Sequence, residues 1–191
     1  MAVSIYANDY ITLFDNIKAY TWTDLNRINL PLLTELNLSG LNSVPGSAFL
    51  KGGAYELTSL KKLNLSNVKF TDTNTYSLLL TKCSKLEELD ISYSNITYVE
   101  LPKSPVLKTY NLSGTTLTEL TLTNQAFLSD LKLDNCNYLK KITLINCNKL
   151  TILNLPSNVE TVIISNCALL ESLSLLYTST NNSISKLSKI S

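Results

Sequence analysis

Side chains able to do chemistry are few in this chain, and their spacing does not suit catalysis. Histidine, the usual general base and a common metal ligand, is absent. Four cysteines occur, Cys83, Cys136, Cys147 and Cys167, none of them in a Cys-x-x-Cys pair. Each stands three residues ahead of a leucine (Leu86, Leu139, Leu150, Leu170). That regularity suits a small apolar filler turned inward, with a disulfide or a metal set as the lesser alternatives. Serine and threonine abound, but none lies in a nucleophile elbow, and Gly52-Gly53 lacks the lysine and serine of a phosphate loop. The carboxylate pairs Glu87/Glu88 and Asp130/Asp134 read as surface charge. The expectation is a protein that is not an enzyme and carries no cofactor and no metal.

The residues left over are better suited to recognition, and a repeated phrase lines them up. Leu-x-x-Leu-x-Leu begins at Leu33, Leu60, Leu86, Leu107, Leu128, Leu150 and Leu170, with steps of 27, 26, 21, 21, 22 and 20 residues. A phrase at such a period means stacked coils, each burying its apolar side against the next. Within each phrase the alternation is that of a half-buried strand. Leu36/Leu38, Leu63/Leu65, Leu89/Ile91, Leu131/Leu133 and Leu153/Leu155 are the expected core, and Tyr110 takes the place of a core leucine. The residues between them become outward rows. One row is Asn37, Asn64, Asp90, Asn111, Lys132 and Asn154; the next is Ser39, Ser66, Ser92, Ser113, Asp134 and Pro156; a third is Glu35, Lys62, Glu88, Thr109, Asp130 and Ile152. These form a polar strip, mildly acidic in its middle. Tyrosine adds a large apolar face with a polar tip. The candidate partner-binding patch is therefore Glu88, Asp90, Ser92, Tyr93, Asn111, Asp130, Lys132 and Asp134. A solvated sheet with no ligand is the plain alternative.

The extra length of the first two turns falls at Ser47–Tyr55 and Asn74–Ser84. In the second, Tyr76, Leu79, Leu80 and Cys83 recur at helical spacing, so a short helix is expected there, with at most one or two helical turns in the first. From about residue 107 a second copy of the phrase (Leu117/Leu120/Leu122, Leu139/Ile142/Leu144, Val159/Val162/Ile164) leaves no room for helices. The coil should then have strands on both sides. Residues 1–32 lack the repeat and read as an N-terminal cap, 33–176 as the solenoid, and 177–191 as a C-terminal cap or a truncated last repeat.

The recurrence of Leu-x-x-Leu-x-Leu, with Cys136 and Asn158 at the following Asn/Cys place, resembles the leucine-rich repeat family. Ser47-Ala48-Phe49, Ala126-Phe127 and the Cys-x-x-Leu stretches are partly similar to bacterial and protist surface-type (BspA-like) repeats. The resemblance implies a right-handed solenoid of parallel strands, α/β leaning to mainly β, with short helices only in the first turns. It also implies a role in binding a protein, with a glycan as second choice, through the strand face.

The wider composition narrows the partners. With 16 basic and 15 acidic residues, the chain lacks the cationic excess of a general nucleic-acid binder. No signal peptide and no apolar run of membrane-spanning length is present in the sequence, so no membrane insertion is expected, and the compartment stays open. Five Asn-x-Ser/Thr sequons occur, at Asn37, Asn64, Asn95, Asn111 and Asn181, three of them inside expected strands. Outward Ile145, Ile152, Ile163 and Leu176, together with an open C-terminal edge, keep a second role in view: a structural component that packs against itself or a larger assembly.

Overall fold

In a computed structural model the described residues are 4–5, 33–42, 44–45, 57–71, 77–102 and 106–176. They form fifteen strands in chain order. These are β1 (Ser4–Ile5), β2 (Glu35–Asn37), β3 (Val44–Pro45), β4 (Lys62–Asn64), β5 (Phe70–Thr71), β6 (Ser77–Leu79), β7 (Glu88–Asp90) and β8 (Tyr98–Glu100). They continue as β9 (Thr109–Asn111), β10 (Glu119–Thr123), β11 (Asp130–Lys132), β12 (Lys141–Ile145), β13 (Ile152–Pro156), β14 (Thr161–Ser165) and β15 (Ser172–Leu176). Every pairing is parallel. The architecture is an all-parallel β-solenoid.

On the front face, β1, β2, β4, β7, β9 and β11 make one six-stranded sheet. Its register stacks Leu36, Leu63, Leu89, Tyr110 and Leu131 in a single buried column. A fully buried leucine contributes about 1.5–3 kcal/mol, and each turn adds several: Leu60, Leu63 and Leu65 in one, Leu86, Leu89 and Ile91 in the next. Beyond β11 the front ladder is interrupted. Leu153 is buried, but β13 pairs with β15 and not with β11. The return face holds three separate sheets: β3–β5, β6–β8 and β10–β12–β14.

No helix occurs among the described residues. The helix expected over Asn74–Ser84 is corrected where that stretch is described. Ser77–Leu79 is a strand paired with β8, and Thr81–Lys82 is a turn. Leu78 and Leu80 are both buried while Leu79 is only half-buried, so the operative period is two and not 3.6. The neighbouring strand supplies the backbone partner that a helix would have found within itself: Leu80 N–H donates to the Glu100 carbonyl at 2.8 Å. Strands on both sides of the coil thus begin well before residue 107. The expected helical turn in Ser47–Tyr55 lies outside the described residues, as do the 177–191 segment and all of 1–32 except Ser4–Ile5, which adds one strand to the front sheet.

The inward cysteines behave as the spacing implied. Cys83, Cys136 and Cys147 are buried, Cys167 is half-buried, and all four are thiols. Burial pushes Cys83 up to about 12 and Cys147 up to about 11, and also raises Cys136. These thiols therefore stay protonated at neutral pH and are poor nucleophiles.

A polar strip on the front sheet as candidate functional site

Four front strands, β2, β4, β7 and β9, end in the same local device. The Asn37 Oδ1 accepts from Ser39 N–H at 3.0 Å, Asn64 Oδ1 from Ser66 N–H at 2.9 Å, and Asn111 Oδ1 from Ser113 N–H at 3.1 Å. In the middle turn Asp90 Oδ1 accepts from both Ser92 N–H (2.9 Å) and Ser92 Oγ (2.6 Å). A side-chain oxygen that binds the N–H two residues on turns the chain out of the strand. This bond explains the recurring Asn-x-Ser, so the sequons at Asn37, Asn64 and Asn111 have a folding role.

One residue further along, the chain crosses into the left-handed region after β2, β4, β7, β9 and β11: Gly40, Asn67, Tyr93, Gly114 and Asn135 all have positive φ, between 55° and 79°. Glycine and asparagine adopt this conformation readily; a tyrosine does so rarely. The Tyr93 ring lies over Gly114, where any Cβ would collide with it, and its hydroxyl accepts from Asn135 Nδ2 at 3.1 Å. Tyr93 is 45% exposed, the large aromatic of this edge.

The outward side chains of β2, β4, β7, β9 and β11 line a shallow groove of about 370 Å³. Of the expected patch, Glu88, Asp90, Asn111, Asp130 and Lys132 line it. Tyr93 and Asp134 stand on the turns beyond the strand ends and do not. Ser92 is a correction: it is only 5% exposed and engaged with Asp90, and Ser113 in the same row is also buried. Ser39 and Ser66, which make the same side-chain bond, are half-buried, and Asp134, which follows Lys132 and lacks it, is exposed. Glu35, Asn37, Lys62 and Asn64 also line the groove. They belong to the same outward rows and extend the patch toward the N-terminal turns. The Asp90–Asn111 contact (Nδ2 to Oδ2, 3.1 Å) and the Lys62–Glu88 pair (3.0 Å) cross between strands. Hydrogen bonding to Glu88, then its charge, raises Lys62; Lys108 does the converse to Glu87, whose pKa it lowers. These pairs are solvent-exposed, so they order the surface more than they stabilise it. Among the described residues no group of His, Cys, Asp or Glu is arranged to hold a metal, and no helix is long and apolar enough to cross a membrane.

Parallel strands advancing one turn at a time, with a leucine column inside and a polar strip outside, define a leucine-rich repeat scaffold. Residues 26–161 match the family described as the leucine-rich repeats of FBD-associated F-box protein At5g56370. That is well over half of the chain, which therefore belongs to this repeat family. Protein CARMIL of Dictyostelium discoideum is 36% identical over 91 residues, covering 44% of this chain and 9% of that protein. The chain thus matches less than a tenth of the length of this curated relative. No solved structure matches the chain.

Proposed function

We propose that this solenoid is a recognition module, taken to be right-handed, that binds a protein partner through the front sheet, with a glycan as second choice. The observation that carries the reading is the groove. Five strands contribute short polar side chains of both signs to one continuous surface, and rigid elements present such groups with little ordering cost on binding. Glu88, Asp130 and Lys132 offer charge, Asp90 and Asn111 offer hydrogen-bonding groups, and Tyr93 and Asp134 flank the strip from the turns. Partner capture with the wild type and with a Glu88→Lys, Lys132→Glu double variant, read by mass spectrometry, tests it. The same protein should be retained by the first and lost from the second. Identical capture by both would overturn the assignment to this face.

A second reading, packing into a larger assembly, is favoured by one feature. Phe127, Tyr138, Ile152 and Leu169 are large apolar side chains left exposed on the later turns. Light scattering across a concentration series separates the two, since only self-packing gives a mass that grows with concentration.

A further inference from the structure

Tyr110 stands in the front column where its neighbours are leucines. It is 1% exposed, and its hydroxyl has no hydrogen-bond partner among the described residues. A buried hydroxyl left in this state costs about 1–3 kcal/mol. Its backbone lies in the front sheet and its side chain points into the coil, so the ring reaches toward the return face. There it lines a cleft of about 660 Å³. The cleft lies where β8 and β10, successive strands of the return face, fail to pair.

Register fixes what the two walls present. β10 bonds to β12 through alternate residues, from the Thr118 carbonyl to the Asn124 N–H, so the backbone groups of Glu119, Thr121 and Thr123 point the other way, into the cleft. β8 bonds to β6 through Tyr98 and Glu100, which leaves the backbone of Val99 facing the same space. Gln125 closes one end. It is 3% exposed; its Nε2 donates to the Thr123 carbonyl at 3.3 Å, and its Oε1 has no partner among the described residues. In the next two turns the same place holds Cys147 and Cys167, whose thiols lie 3.8 Å from the Leu122 and Leu144 carbonyls of the turn before. One turn earlier no paired strand offers such a carbonyl, and a longer carboxamide stands there with an unfilled acceptor.

We propose that this cleft is a second binding site, and that its ligand is an extended peptide segment of a partner, lying between β8 and β10 as the absent strand and carrying a lysine or arginine. A peptide backbone supplies donors and acceptors at the spacing of both unpaired edges. Gln125 Oε1 and the Tyr110 hydroxyl have no accessible surface behind the cleft wall, so the peptide meets them only as β8 and β10 part around it. The basic side chain follows from charge: Glu100 and Glu119 line the cleft, Glu119 also pairing with Lys141 at 3.8 Å, and no lysine or arginine lines it among the described residues. The volume falls within the range of about 300–1,000 Å³ usual for ligand pockets.

The probe is a fluorescently labelled, end-capped peptide Lys-Lys-Ile-Thr-Leu-Ile-Asn, a copy of residues 140–146, the segment that pairs with the other edge of β10. Its anisotropy is titrated with the full chain, beside a counterpart with both lysines replaced by glutamate. Saturable binding of the first, at least about ten-fold tighter than the second, is expected. Thr121→Pro removes an N–H that faces the cleft and none that faces β12, so it should weaken binding by about ten-fold. Tyr110→Phe should weaken binding several-fold while raising thermal stability, which guards against misfolding as the cause of any loss. No saturable binding, equal affinity for both peptides, or affinity unmoved by both variants would each overturn the proposal. Probe and variants all concern the return face, so the result is independent of partner capture by the front sheet.

Discussion

The two faces of this coil are built from the same phrase and lose continuity at different turns. The front sheet runs unbroken from β1 to β11 and is interrupted before β13; the return face is interrupted between β8 and β10 and then runs unbroken from β10 to β14. The intact stretch of each face spans the break in the other. A stack of turns that interact only with neighbours would part at any level where both ladders failed together. Here at least one ladder crosses every level from β7 to β14. The interruptions are thus affordable locally, and one of them opens a lined cleft.

The largest expected effect compares the faces directly. Leu89→Ala, in the front column with a bonded strand on each side, should cost about 2–5 kcal/mol in urea denaturation. Leu120→Ala, on the wall of the return cleft, should fall at or below the low end of that range, because the space it leaves joins one already open. Equal losses would mean that the return break is not a real discontinuity in packing.

Next comes Gly114→Ala, expected to cost about 1–3 kcal/mol, since the new methyl meets the Tyr93 ring at a positive φ. In a Tyr93→Asn background part of that loss should be recovered, and Tyr93→Asn alone should be neutral or stabilising by up to about 1 kcal/mol. If Tyr93→Asn instead destabilises strongly, the ring supports the front face and is not simply displayed by it.

Asp90→Ala should cost about 1–3 kcal/mol by leaving Ser92 without its partner, while Asp90→Asn, which keeps the accepting oxygen, should cost less. Similar losses for both would shift the weight from the local bond to the carboxylate charge.

The thiols give the smallest effect, and a graded one. Unfolding returns Cys83 and Cys147 to an ordinary thiol pKa from folded values near 12 and 11. Above about pH 9 the unfolded chain releases protons that the folded chain keeps. Stability should therefore be flat below about pH 9 and decline from there through about pH 11 to 12, as read by thermal melts across that window. At neutral pH a thiol reagent should reach Cys167 before the three buried cysteines.

The column of Leu36, Leu63 and Leu89, the burial of Tyr110 and the inward cysteines were all legible in the sequence, because period two and a fixed repeat length determine them without reference to partners in space. Leu78-Leu79-Leu80 was not: three adjacent leucines satisfy helix and strand spacing alike, and pairing with β8 decided between them. Ser92 was read as surface because alternation counts residues, whereas the Asp90 side chain bends the backbone before the count is complete. The groove-lining half of the patch followed from the rows. The cleft left a single mark in the sequence, Gln125 in a cysteine place, because it arises from two strands not pairing.

The side-chain bond that ends β2, β4, β7 and β9 also bears on how such a chain could change in length. It spans two residues and is made within one turn, so a duplicated turn would arrive already carrying its own exit, and a deleted one would leave its neighbours' exits intact. The turns at Lys132-x-Asp134 and Asn154-x-Pro156 lack it: lysine has no acceptor, proline has no N–H, and Asn154 Oδ1 instead accepts from Ser174 Oγ. Those are the strands between which the front ladder stops. Growth or loss of repeats is accordingly easiest among the turns of β2, β4, β7 and β9, each of which is self-finishing, and the later turns form a block that would have to be inherited whole.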